Sequence, residues 1–574
     1  MNKILVKSDD IILNYDLHSL PTAQHKSGLA GLLLMIESMK MRGFSNIPEV
    51  LEISAFKASI RFNRAAFRDM FNDLYSSEVI ESKPSKKKRE KGEDDKKTVI
   101  EPKRTERRET TNKKGEVKTE VYYIYDDYIP KGGFLKCFYP DGDGLWLKLW
   151  RDMLWNTLRG IPTTRLIYTK EADKKETAQT WNKLAESLRE RENNKIISES
   201  ISSSIFIGAQ DENAEKVPFK GNIENNFLLH FSLIASLIFV PRSVSLKKTD
   251  RGKSFDNGYA LAVPEPSDLK EFVQDAKLML KELETDVSGY RPRASIICMP
   301  EEGGLEYLTL LNALARKKVS NSQISDSIDA VEIYHLQKKG NSIKLLNLGR
   351  ILPDRRLLSD YELMYNTCLN PFFKSQRIKN LLAGLPWYED MHVMFSVLPW
   401  ETFAFSPGET PNLISFFGAD VEKKLNAIKE ELKSKGGDNM TDEVRDDQLA
   451  IIVRNVVKSY VRVKTEKKTG FSWATQKEQS RFKETALKVC SQAFLDMRGR
   501  RDRVFVEYFT GVLCSVPQYM PEEDYITVVN TLLSDPDKVK CLAMLAMSAT
   551  SSLYRSGNDN QSDKKKEEAN DDEQ

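Results

Sequence analysis

Hydrophobic spacing divides the chain into stretches of different kinds. Near the start, Ile4, Val6, Ile11 and Leu13 alternate with polar residues as short strands do. Leu29 to Met41 has helical content, with Ser27 as the expected N-cap and Gly43 as the stop. Gly28 and Gly31 near the start of that helix allow close approach by a neighbouring backbone or by a phosphate. The GK[ST] ending of a P-loop is missing, which favours packing. Residues 51–64 alternate loosely and predict strands. Over 65–80, Phe67, Met70, Phe71 and Leu74 share one helical face.

The strongest helical pattern is LWLKLWRDMLWNTLR, with Asp143 as the expected cap and Gly160 and Pro162 beyond. Leu145, Leu149, Met153, Leu154, Trp146 and Trp150 form its apolar face. Trp155 falls near the other side among Lys148, Arg151 and Arg159, where an indole among cations can stack on a base or belong to the core. Residues 170–200 predict a polar, charged helix. An apolar run, Phe227 to Val240, leads into a basic segment, the turn signal Asp256-Asn257-Gly258 and a second apolar strand, Tyr259 to Val263. This pattern describes a hairpin with walls in the core and a cationic tip in solvent. Ser267 is expected to cap the next helix. Ala294 to Cys298 predicts a strand followed by a loop and a helix. Val331 to Leu352 predicts a hairpin turning at Lys339-Gly340-Asn341-Ser342. Residues 356–435 are mostly helical, 433–443 (KSKGGDNMTDE) a linker, and everything beyond helical up to a charged tail from 556.

The predicted fold class is therefore α+β: a mixed N-terminal domain with β-hairpins over 1–435, then an all-α bundle over 440–555 and a disordered tail over 556–574. Net charge is only +3, so a nucleic-acid surface must come from local clustering. Two clusters exist. Residues 82–118 hold 15 Lys/Arg against 8 Asp/Glu and almost no large apolar residues, which predicts a disordered insertion or a long hairpin tip. Lys87, Lys88 and Arg89 are its densest cations. Residues 454–503 hold 14 Lys/Arg against 5 Asp/Glu, with Arg462, Lys464, Lys467, Lys468, Arg498, Arg500 and Arg501 as candidate backbone contacts. Either cluster also suits an ordinary solvated surface.

A third candidate pairs the hairpin tip, with Arg242, Lys247, Lys248, Arg251 and Lys253, with the preceding loop that carries Lys220, Asn222, Asn225 and Asn226. Asparagine beside glycine and lysine suits a minor groove, where small polar groups come close. Asn225 or Asn226 equally suits the N-cap of a helix from Phe227.

Catalytic chemistry finds little support. The six cysteines form no CxxC pair, which fits reduced thiols in a cytoplasmic protein. The five histidines show no HxxxH or HExxH spacing, so no metal and no cofactor is expected from local motifs. Glu301, Glu302 and Glu306 lack a close His or Asp partner. The start of the chain has acidic residues where a signal peptide needs an apolar core, and no apolar run is long enough to span a bilayer, so no membrane association is expected.

Four stretches carry a family resemblance: LPTAQHKSGLAGLLL, GLWLKLWRDMLWNTLRGIP, IFVPRSV with GYALAVPEPSDL, and GYRPRASIICMPEEGGLEY. Together they resemble the large subunit of type I CRISPR effector complexes (Cascade), the Myxan-type subunit of bacterial I-B-like systems. The match runs from about residue 15 to about 350 and leaves out 82–118. The resemblance implies a subunit without catalytic activity in an antiviral ribonucleoprotein. It implies binding of target double-stranded DNA, recognition of the protospacer-adjacent motif, help in duplex opening and R-loop formation, and recruitment of a helicase-nuclease. The implied partners are guide RNA, target DNA and the handle-binding, backbone and small subunits. It also implies a C-terminal bundle like the small subunit, with a separate product from Met440 as a hypothesis. Two rivals remain: a nuclease, which needs clustered metal ligands or a P-loop, and a purely structural scaffold of the ribonucleoprotein, which needs no basic surplus.

Overall fold

The structure is a computed structural model. It describes residues 10–554 except 83–88, 92–96, 100–101, 112–116, 161, 169, 202–204, 209–218, 248–249, 319–326, 341, 366, 405–412, 435–441, 478 and 517–519. Met440 and the tail beyond 554 therefore lie outside the described residues. The chain divides into two units, the first comprising Met1–Val240 with Gly258–Pro353 and the second Pro241–Asn257 with Asp354–Gln574.

In the first unit, β1 (Ile11–Asp16), β2 (Glu49–Ile53) and β3 (Lys57–Phe62) form an antiparallel sheet in the order β1-β3-β2. Ile11, Leu13 and Tyr15 are buried on one face, as period-two alternation demands. The long helix α1 (Ala23–Met41) is capped at Thr22, five residues before the expected cap Ser27. Ser27 is buried inside the helix and donates to the Ser232 carbonyl at 3.0 Å, so its hydroxyl serves tertiary packing rather than a cap. Gly28 and Gly31 bring α1 against residues 228–231: a Cβ would come within 2.2 Å of the Leu228 oxygen and 2.1 Å of the Phe231 oxygen. Packing, not phosphate binding, explains both glycines.

Helix α2 (Arg64–Leu74) buries Phe67, Met70, Phe71 and Leu74 as predicted, but it ends at Tyr75. Residues beyond it leave the helix for β4 (Ser77–Glu81) because Val79 and Ile80 have no buried helical face to join and are exposed. In the segment 82–118, part of which lies outside the described residues, two short ladders occur. β5 (Arg89–Lys91) pairs with β6 (Lys97–Val99), and β7 (Arg104–Thr111) pairs with β8 (Val117–Ile124). The Val-Tyr-Tyr-Ile run supplies the β-prone partner that the polar strand lacks. β9 (Asp126–Pro130) then returns to pair with β4.

Helix α3 (Leu145–Met153) begins at Gly144, and Asp143 instead pairs with Lys136 and Arg151. It runs into a π-helical turn over Leu154–Leu158. Trp146, Trp150 and Trp155 are all buried. Trp155 therefore offers no exposed stacking face, contrary to one of its two sequence readings. After α4 (Lys170–Glu192), β10 (Ser198–Ser200) pairs with β11 (Lys220–Asn222), which leads into α5 (Ile223–Leu228).

The main sheet of this unit joins β12 (Leu237–Val244) through its first half to β14 (Tyr259–Pro266). The second half of β12 pairs with β13 (Ser254–Asp256), within the second unit. After α6 (Leu269–Lys281), β15 (Val287–Ser288) and β16 (Arg291–Pro292) form a short pair. β17 (Ile296–Ile297) pairs with β12, and α7 (Glu302–Lys318) follows. β18 (Ile328–Lys339) and β19 (Ser342–Ile351) complete the order β12-β14-β18-β19. The β18–β19 turn falls at Gly340 with φ +62°, as the sequence predicts. Asp268 rather than Ser267 caps α6, its side chain accepting from the Glu271 amide.

Among the described residues, the second unit is helical apart from its share of β12 and β13. It contains α8 (Arg355–Tyr365), α9 (Pro371–Ala383), α10 (Met391–Val397), α11 (Phe417–Ser434), α12 (Asp442–Thr469), α13 (Trp473–Gln476), α14 (Ser480–Arg498), α15 (Asp502–Gly511), α16 (Glu522–Ser534) and α17 (Pro536–Ser552). α17 is the central element. It is buried continuously from Cys541 to Ser551 and packs against α11, α12 and α14. Gly418 lets α11 approach so closely that a Cβ would lie 2.3 Å from the Ser548 oxygen. Of the expected linker at 433–443, residues 435–441 lie outside the described residues, whereas 433–434 end α11 and 442–443 begin α12.

Candidate nucleic-acid interface

The walls of the basic hairpin are rooted as the sequence predicts. Phe239, Val240 and Ala260 to Val263 are almost wholly buried. Gly258 makes the return possible. It has φ +74°, and a Cβ would meet the Leu336 oxygen at 2.3 Å. The tip is closed by its own backbone: the Ser245 amide donates to Lys253, and the Gly252 amide donates to Ser245.

Most cations of the tip have acidic neighbours. Arg242 Nε donates to Asp256 at 3.3 Å, directly across the β12–β13 register. Arg251 lies 3.6 Å from Glu401, both half-buried. Lys253 lies 3.3 Å from Asp250. Lys247 is exposed and makes no ion pair among the described residues, and Lys248 lies outside them.

The asparagine loop belongs to the first unit, whereas the tip belongs to the second. Asn222 is the N-cap of α5, its side chain accepting from the Glu224 amide at 2.8 Å. The cap therefore sits three positions before Asn225, because the helix starts at Ile223 rather than Phe227. Asn225 is half-buried. Asn226 is buried and donates to the Gly221 carbonyl at 3.3 Å. Lys220 is exposed at the start of β11.

The second basic cluster sorts its charges by depth. Arg454, only 4% exposed, is bound by Glu422 and Asn426 from α11, and Lys458 reaches Glu422 at 2.9 Å. Burial lowers the Lys458 ammonium below its ordinary range despite that partner. Further along α12, Arg462, Lys467 and Lys468 are exposed. The half-buried Lys464 lies over the Tyr460 ring at 5.7 Å. Arg462 lies over the ring of Trp473 at 5.9 Å, and Lys477 lies over the same ring at 4.8 Å. Trp473 is exposed, and its amide is held by Glu466 at 2.8 Å. Trp473 is a functional candidate that counting charges overlooks, and it singles out Lys477 among the counted cations. The legible signal is the lone aromatic in SWATQK, inside a basic run.

The three arginines at the α14–α15 junction differ from this edge. Arg498 donates to the Ser396 carbonyl at 2.8 Å. Arg500 pairs with Asp496 at 3.6 Å and covers the Tyr508 ring at 4.3 Å. Arg501 is exposed at the start of α15. In the third cluster, Lys87 and Lys88 lie outside the described residues, and Arg89 begins β5.

Among the described residues, no group of three or more His, Cys, Asp or Glu is arranged to hold a metal ion. Among them also, no helix is long and apolar enough to cross a membrane. The six cysteines are unpaired thiols.

No curated protein matches the chain. Two family models do. Residues 47–321 match the type I-B CRISPR Cas8b N-terminal domain, and residues 328–550 match the type I-B CRISPR Cas8b C-terminal domain. Together they span most of the chain and meet in the short interval between α7 and β18. The chain belongs to the Cas8b family, the large subunits of type I-B CRISPR systems.

Proposed function

We propose that this large subunit acts by binding nucleic acid within a type I-B Cascade complex, without catalysis of its own. It engages target double-stranded DNA, recognises the protospacer-adjacent motif, assists duplex opening and holds the displaced strand. It offers a surface to the helicase-nuclease that carries out cleavage. Guide RNA and the handle-binding, backbone and small subunits are its assembly partners. Residues 440–555 are the portion comparable to the small subunit.

The observation that carries this reading is the α12–α13 edge. There, Arg462 and Lys477 both lie over the ring of the exposed Trp473, and Lys467 and Lys468 are exposed at the end of α12. Single-stranded nucleic acid is gripped by this combination: aromatic faces stack on bases, and lysines and arginines track phosphates. A scaffold working through protein contacts alone has no need of an exposed Trp flanked by cations.

The test is binding of the assembled complex to matched duplex targets across a salt series. We expect affinity to fall steeply with salt, and to fall again when the protospacer-adjacent motif is altered. A salt-independent affinity would contradict the backbone contacts. An affinity indifferent to the motif would remove the recognition role and leave only non-specific grip.

A further inference from the structure

The α12–α13 edge lies where the last helix of the second unit ends. α17 closes at Ser552, and the Tyr554 amide donates to the Ser551 carbonyl at 3.2 Å. Tyr554 is 9% exposed, and its ring lies 6.2 Å from that of the buried Phe482, in the first turn of α14. The neighbouring Arg481 is exposed and lies over the ring of Phe471 at 5.7 Å. Burial raises the Tyr554 hydroxyl above its ordinary range, while a hydrogen bond with Trp473 and the Arg462 charge pull it back. Tyr554 therefore seats the end of α17 beside Trp473, Phe471 and their cations.

The charges of this corner are unbalanced. Arg462, Lys467, Lys468, Lys477 and Arg481 are exposed and make no ion pair among the described residues. Glu466 is engaged, since it accepts the Trp473 amide at 2.8 Å. The sequence after Tyr554 has the opposite character. Residues 555–574 lie outside the described residues and carry seven Asp/Glu against four Lys/Arg. Arg555 and Lys564 to Lys566 come first; Glu567, Glu568, Asp571, Asp572 and Glu573 then follow without a cation among them. The segment holds no large apolar residue, so charge is its means of attachment to a surface. Twelve residues separate Tyr554 from Glu567, and a chain of that length reaches up to roughly 40 Å. Arg462 to Lys468 occupy only about 9 Å along α12.

One exposed ion pair is weak by itself. Several made together by a tethered segment are stronger, because tethering gives a high local concentration. A basic surface that tracks phosphates does not read sequence, so tethered carboxylates compete for it on the same terms as a strand. We propose that the acidic segment 567–573 docks on the Trp473 edge when no nucleic acid is bound, and that a strand must displace it. The proposal rests on the nucleic-acid reading of this edge and adds a built-in competitor to it. In that role the segment keeps weakly held strands off the edge and yields to a strand anchored elsewhere in the complex.

The test compares the purified full-length chain with a full-length variant in which Glu567, Glu568, Asp571, Asp572 and Glu573 become glutamine or asparagine. Each is made with and without replacement of Arg462, Lys467 and Lys468 by glutamine. Binding of a labelled oligothymidine strand is read by fluorescence anisotropy over a salt series. We expect neutralisation of the segment to tighten binding about tenfold at low salt, with the gain shrinking as salt rises. A chain ending at Tyr554 should show the same gain. With the three edge cations replaced the gain should disappear, because the segment then has nothing to cover. A gain that survives those replacements would show general charge repulsion and overturn the docking. Absence of any gain, while the edge replacements still weaken strand binding, would overturn the proposal and leave the reading of the edge intact. Edge replacements without effect on strand binding in either background would overturn that reading as well.

Discussion

The hairpin tip at 241–257 and the α12–α13 edge are both basic stretches of the second unit, and they use their charges differently. In the tip, Arg242, Arg251 and Lys253 each have a carboxylate within 3.6 Å. At the edge, Arg462 and Lys477 lie over an exposed indole, and Lys467 and Lys468 stand in solvent. A charge count along the sequence weighs these cations equally. Only the structure separates those that pair with carboxylates of the protein from those that stay exposed.

The sharpest test of that separation is a cation of the basic cluster that faces inward. Arg454→Ala leaves Glu422 buried beside Lys458 alone, and we expect it to cost about 3–5 kcal/mol of stability. Thermal unfolding should show this, whereas the salt dependence of DNA binding by the folded protein should stay unchanged. A clear loss of binding without loss of stability would place Arg454 on the wrong side of the comparison.

The opposite behaviour is expected at the edge. Trp473→Ala should weaken binding of single-stranded DNA by about 1–3 kcal/mol in the assembled complex, with little change in Tm. Fluorescence anisotropy at fixed salt reads this directly. Unchanged affinity would demote the indole to a surface side chain.

Asn222 tests a candidate that the structure reassigns. As the N-cap of α5, its replacement by alanine should cost about 1 kcal/mol of stability. Binding to targets with a correct or altered motif should then change in parallel, if at all. A selective loss at correct-motif targets would restore it as a reading residue.

The smallest expected effect is at the tip. Lys247→Ala with Lys248→Ala should weaken binding modestly and about equally for all sequences, since phosphate contacts position without reading. A shift in motif preference would show that the tip reads bases.

Much of the fold was legible because periodicity records burial. The faces of α2 and α3, the walls of β12 and β14, the β18–β19 turn and the helices from α12 to α17 follow their apolar spacing. The errors are equally physical. Ser27 resembles a cap yet lies inside α1, because its hydroxyl serves a carbonyl 205 residues away. Trp155 falls among cations in sequence, but the π-helical turn carries it into the core. Asn222 rather than Asn225 or Asn226 caps α5, since the helix begins before its apolar run. The candidate site was legible only as regions of excess charge. Pairing across distant segments, such as Arg251 with Glu401 and Arg454 with Glu422, leaves no local signature.

The most direct measurement is the slope of log affinity against log salt for two charge variants of the assembled complex. One replaces Arg462, Lys467 and Lys468 by glutamine, and the other replaces Arg242, Arg251 and Lys253. The edge variant should flatten the slope by about 2–3 units and the tip variant by less than about 1, since each released phosphate contact contributes roughly 0.7–0.9. Equal flattening, or a larger change from the tip, would contradict the division between structural and nucleic-acid-facing charge.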